Sequence, residues 1–154
     1  MTTPLPRSRT LLFATFLLAL PLSAQEPNFG RAAVIDGDDL LVGQPVNWYG
    51  PGTVYAYRPG PDGAWIEEAL LTAPDSSRMD DFGASLALDG DRLAVGAPRK
   101  RDGVGVVYLF ERASSRAGWS SVAVLEAPET ADGRGFGTAL LLEGDELFVG
   151  SPAV

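Results

Sequence analysis

The sequence predicts an all-β protein made of four-stranded antiparallel blades of the β-propeller kind: two complete blades and half of a third, an incomplete propeller. Three observations predict it. First, the run from Asp81 to Pro98 is written three times, with Phe29, Phe82 and Phe136 separated by 53 and 54 residues. Second, each copy holds two short apolar runs around an acidic-Gly pair. Third, both complete copies continue into an aromatic and β-branched run. A fixed period of about 50 residues with strand-like content is the signature of propeller blades.

The first strand of each unit is read at Ala32–Ile35, Ala84–Leu88 and Thr138–Leu142, and the second at Leu40–Gly43, Arg92–Gly96 and Glu146–Gly150. Between them stand Asp36-Gly37-Asp38, Asp89-Gly90-Asp91 and Glu143-Gly144-Asp145. An Asp-Gly pair flanked by apolar residues signals a tight hairpin, and a type I′ turn is expected because Gly accepts positive φ. The runs are apolar almost throughout, which suits strands covered on both faces. They are too short for helices.

The third strand is read at Thr53–Tyr57 and Val106–Phe110, entered through Gly52 and Gly105. Its Tyr, Val and Phe content favours a pleated, half-buried surface. The fourth begins at Trp65 and Trp119 and ends at Ala73-Pro74 and Ala127-Pro128. The intervening Pro-, Gly- and Ser-rich segments are turn chemistry.

The run from Phe82 to Pro98, with Val106–Phe110 and Trp119 after it, resembles the FG-GAP repeat. That family includes the propellers of integrin alpha chains and many bacterial secreted proteins. The resemblance covers residues 28 to 154, with repeats at about 28–80, 81–134 and 135–154. It implies structural roles for Phe29, Gly30, Gly43, Pro45, Phe82, Gly83, Gly96, Pro98, Phe136, Gly137, Gly150 and Pro152. The Phe residues are expected to wedge between blades, Gly30, Gly83 and Gly137 to allow close backbone approach, and the Pro of each Val-Gly-x-Pro run to end a strand.

Integrin-type repeats carry a calcium loop between the first two strands, and a hard cation needs six to eight oxygen ligands. Here that connection is a tight turn, so the chain resembles the bacterial subtype without calcium loops. Asp36, Asp38 and Asp39 are read as solvated turn residues, and no metal ligand or cofactor is expected.

Residues 1–24 read as a secretory signal peptide: Arg7 and Arg9, an apolar run from Leu11 to Leu22, and small residues at Ser23-Ala24. The expected mature chain is one domain, 25–154, secreted, periplasmic or at the cell surface, without a membrane span. Setting Arg7 and Arg9 aside leaves 10 basic against 20 acidic residues. That balance argues against nucleic acid and anionic membranes as partners.

The chain contains no His and no Cys. It therefore lacks the usual general base and the commonest soft-metal ligands, and disulfides contribute nothing to its stability. No nucleophile elbow or phosphate loop is present. Neighbouring carboxylates, Asp80 with Asp81 or Glu67 with Glu68, point to opposite faces of an extended strand. The reading is therefore non-enzymatic.

Two loop features stand out as partner contacts: the basic cluster Arg99-Lys100-Arg101, and the aromatic pair Trp48-Tyr49. Plain solvation is the competing reading of the first, and packing against the neighbouring blade that of the second. The expected function is extracellular recognition or adhesion of a protein or carbohydrate ligand. The alternatives are the propeller part of an exported hydrolase or lyase, or a gene remnant. Two and a half blades leave open faces, expected at Val34, Leu41 and Val54 on one side and Leu140, Leu142, Leu147 and Val149 on the other. Those faces imply either a fragment of a longer propeller or self-association.

Overall fold

The computed structural model describes residues 28–46, 50–128 and 134–152. The signal-peptide reading and the Trp48-Tyr49 pair lie outside the described residues. Strands β1 (Ala32–Asp36), β2 (Asp39–Gln44), β3 (Thr53–Pro59) and β4 (Trp65–Leu71) form the first antiparallel sheet, in chain order. A second sheet holds β5 (Ser85–Asp89), β6 (Arg92–Ala97), β7 (Val106–Glu111) and β8 (Ser120–Glu126). Two strands, β9 (Ala139–Glu143) and β10 (Glu146–Gly150), make the half blade. The first strands of successive sheets lie side by side, β1 against β5 and β5 against β9.

Register repeats as closely as sequence. Asp36 pairs with Asp39, Asp89 with Arg92 and Glu143 with Glu146, so each first hairpin has a two-residue loop. Gly37, Gly90 and Gly144 take φ of 57°, 58° and 55°, while the Asp after each is not left-handed. Positive φ at the first central residue alone is the type II′ pattern, not the expected I′. The Gly therefore opens the turn, and the acidic residue before it belongs to the strand.

The segment before each first strand is a second repeated reversal. Asn28, Asp81 and Gly135 are left-handed (φ 67°, 58° and 79°), as are Gly30, Gly83 and Gly137. Asn, Asp and Gly are the residues that accept this conformation at least cost. The amides of Gly30, Gly83 and Gly137 donate to the carbonyls of Gly43, Gly96 and Gly150, each at 3.0 Å. The reversal thus aims one Phe per unit and fastens it to the end of the second strand.

Both fourth strands slip by one residue, leaving Glu68 and Val122 unpaired at equivalent places. Such bulges increase local twist, and nothing in the sequence marked them. No helical segment was expected; the described residues contain one turn at Lys100–Gly103, with Arg101 and Asp102 left-handed (φ 55° and 59°).

The core lies between the sheets. Leu41, Val54 and Ala56 of the first blade pack with Phe82, Leu86, Leu93, Val95 and Tyr108 of the second, and Val34 is packed against them. Ala87, Ala94 and Val107 form the other side of the second blade, covered by Leu140, Leu142, Leu147 and Val149. This corrects the expected open faces. The residues expected there are the packed ones, and the exposed apolar side chains are the alternate set: Ile35, Leu141 and Phe148, each more than half exposed. Adjacent strand residues face opposite ways, so a change of parity exchanges the two faces completely.

Candidate functional site

Each junction is made by backbone touching backbone. A Cβ at Gly43 would lie 2.0 Å from the Gly83 carbonyl oxygen, and one at Gly96 would lie 2.1 Å from that of Gly137. At Gly52 and Gly105 it would lie 2.2 Å from the carbonyl oxygens of Phe82 and Phe136. No side chain fits at those separations, so four glycines set the inter-blade distance. Phe82, 1% exposed, lies edge-on to Tyr108 and Phe110 at centroid distances of 5.5 and 6.1 Å.

A carboxylate clip joins successive hairpins on the turn side. Asp36 accepts the Gly90 amide at 2.9 Å, and Asp89 accepts the Gly144 amide at 2.7 Å. Nearby, Asp39 accepts from Arg58 in its own blade at 2.7 and 2.8 Å. It also accepts from Arg112 in the next blade at 2.6 and 2.9 Å. Arg112 reaches Asp91 as well, and its guanidinium lies over the Trp119 ring at 4.4 Å. Burial opposes the Asp39 charge, but the two guanidiniums outweigh it and hold the carboxyl below its ordinary value. The reading of Asp39 as solvated is corrected accordingly; Asp36 stays exposed to solvent while its carboxylate accepts the Gly90 amide.

The basic cluster does not stay together. Lys100 is turned inward, 8% exposed, with Nζ 2.9 Å from Asp80 and 2.8 Å from the Asp75 carbonyl oxygen. Asp80 also accepts from the Ser77 amide and hydroxyl, and Tyr108 donates to Asp75 at 2.5 Å. Burial works against the ammonium, yet these partners raise its pKa. The left-handed pair Arg101-Asp102 reverses the chain there, which separates Lys100 from its neighbours. Lys100 is thereby removed from the expected contact surface, and Asp80 from any carboxylate dyad with Asp81.

Arg99 and Arg101 instead line an open cleft of about 510 Å³ with Arg78 and Arg134. Asp80 and Asp102 are its acidic members. Arg101 pairs with Glu126, and Arg134 donates to the Asp102 carbonyl oxygen at 3.3 Å. Arg78 and Arg134 were not singled out from the sequence. They come from other loops, four residues before Phe82 and two before Phe136, at positions that do not correspond between the repeats, and no sequence signal marks them.

Residues 65–110 match the family model of the FG-GAP repeat. That stretch carries an FG-GAP repeat. The match spans the last strand of the first blade and three strands of the second. Among curated proteins the comparison finds no match. Of the FG-GAP motif residues, Phe82, Gly83, Gly43, Gly96 and Gly137 meet at the two junctions, and Phe136 packs on the second blade. Phe29 lies edge-on to Tyr55 at 5.3 Å. Pro45 is buried, Pro98 is half-buried and Pro152 is exposed; Gly30 and Gly150 lie on the outer blades. No described helix is long and apolar enough to cross a membrane.

Proposed function

We propose that the protein is a non-enzymatic, secreted recognition module whose FG-GAP blades present the arginine cleft to an acidic protein or carbohydrate ligand. The observation that carries this reading is the convergence of four guanidiniums from three loops on one cleft, in a chain of net charge −8. Guanidinium groups bind carboxylate and sulfate in a planar, two-pronged geometry. Loops held by a rigid β scaffold are common binding elements.

The non-enzymatic part is supported by the lack of His and Cys and by the commitment of Asp80 to Lys100. Assignment to the subtype without calcium loops is supported by the two-residue turns. Their acidic side chains include Asp36 and Asp89, engaged on the neighbouring amides Gly90 and Gly144. Secretion is supported by the apolar leader with its two arginines.

Calorimetric titration with dextran sulfate, polygalacturonate and neutral dextran tests the reading. Binding of an anionic polymer, weakened by added salt and by Arg99→Glu, is expected, with none to neutral dextran. Absence of binding to both anionic polymers, or binding that Arg99→Glu leaves unchanged, would overturn it.

A further inference from the structure

We propose that Lys100 and Asp80 are positioning residues of the arginine cleft, fixing the two loops that carry Arg78, Arg99 and Arg101. The inference rests on the reading of the cleft as the binding site. It adds that the cleft's affinity depends on an ion pair that does not itself hold the ligand.

The pair is fully occupied with its own partners. An ammonium has three donors, and Lys100 Nζ directs them at the Asp80 carboxylate (2.9 Å), the Asp75 carbonyl oxygen (2.8 Å) and the Asp75 carboxylate (3.2 Å). Both Asp80 carboxylate oxygens are taken as well, one by Lys100 and the Ser77 amide, the other by the Ser77 hydroxyl. Lys100 stands between Arg99 and Arg101, and Asp80 stands two residues after Arg78. The buried bond therefore fixes where three of the four cleft arginines leave the backbone.

Backbone strain marks the same place. Five described residues other than glycine are left-handed, and two of them, Asn28 and Asp81, belong to the repeated reversal before a first strand. The other three, Met79, Arg101 and Asp102 (φ 72°, 55° and 59°), all line the cleft. Such conformations persist only where the surroundings over-determine them. Here the surroundings are specific bonds. The Arg99 amide donates to the Asp80 carbonyl at 3.3 Å, and the Gly103 and Gly105 amides donate to the Arg99 and Lys100 carbonyls at 3.0 and 2.9 Å. Across the loop, the Gly135 and Phe136 amides donate to the Gly103 and Val104 carbonyls at 2.8 and 2.9 Å, next to Arg134. A site ordered before its ligand arrives loses less freedom on binding.

The role of Asp80 can be told from plain electrostatics by sign. As an anion lining the cleft it repels an anionic ligand, so neutralising it should tighten binding. As the anchor of Lys100 it sets the arginines, so neutralising it should weaken binding.

Calorimetric titration of the protein with dextran sulfate, beside hydrogen exchange, is the test. Asp80→Asn should weaken binding about tenfold. Tyr108→Phe removes the hydroxyl that donates to Asp75, changes no charge and leaves the cleft lining intact; it should weaken binding less. In both variants the Gly103 and Gly105 amides should exchange faster, while unchanged protection of β5–β8 checks folding. Equal or tighter binding by Asp80→Asn would overturn the proposal, as would unaltered protection of Gly103 and Gly105. If Asp80→Asn also loosens β5–β8, Tyr108→Phe decides, and unchanged affinity and exchange in that variant overturn the proposal. Wild-type protein that binds no anionic polymer would overturn the cleft reading instead. The exchange of Gly103 and Gly105 then decides whether Lys100 and Asp80 set the loop.

Discussion

Asp39 and Arg112 lie 73 residues apart in the chain and meet across the first blade junction, with contacts of 2.6 and 2.9 Å. The Arg112 side chain is 4% exposed and that of Asp39 is 13% exposed, so the pair is shielded from screening by salt. Arg58 approaches the same carboxylate from the other side, and one acidic group thereby ties two blades.

Asp39→Ala should accordingly destabilise the fold by about 3–5 kcal/mol at neutral pH, since two guanidiniums lose their shared partner. The carboxyl is held below its ordinary value. Its contribution is therefore present above an unfolded-state pKa of about 3.9 and lost as pH falls through the folded-state value. Thermal melts from neutral to acid pH should show the wild type and the variant converging in that acid range.

Asp81→Asn should stabilise the protein. One Asp81 carboxylate oxygen is buried without a hydrogen-bond partner among the described residues, and burial raises the pKa against the opposing pull of Arg99 and Arg31. The left-handed φ of 58° suits Asn, which stands at the equivalent position as Asn28 with φ 67°. A gain of about 1 kcal/mol is expected at pH 7, read as a higher Tm. A raised carboxyl pKa penalises folding only where the group ionises, so the gain should shrink as pH falls through the raised folded-state value and be gone below about 4.

Gly96→Ala should loosen the second junction. Its methyl carbon would sit 2.1 Å from the Gly137 carbonyl oxygen and equally close to the Ser85 hydroxyl. Overpacking against backbone costs about 1–3 kcal/mol. Hydrogen exchange should report the loss first in β9 and β10, while β1–β4 keep their protection.

Much of this architecture is legible in the sequence, because hairpin, Phe-Gly reversal and third strand each carry their own local chemistry and recur in phase. Strand parity is not. Runs such as Leu140-Leu141-Leu142 are apolar at every position, so the pattern holds no sign of which side meets the neighbour. The inward turn of Lys100 is equally hidden, since its partners Asp75 and Asp80 stand 25 and 20 residues earlier in another loop. The arginine cleft was half visible: Arg99 and Arg101 are neighbours in sequence, whereas Arg78 and Arg134 arrive through the stacking of blades.

The clip from Asp36 to Gly90 and from Asp89 to Gly144 gives the hairpin turns a length that no single hairpin dictates. In an isolated hairpin, extra residues in the loop cost little. Here an insertion beside Gly37 or Gly90 would carry the carboxylate or the amide out of reach of its neighbour. The turns thus act as spacers gauged against one another, and lengthening one would be felt by the blade beside it.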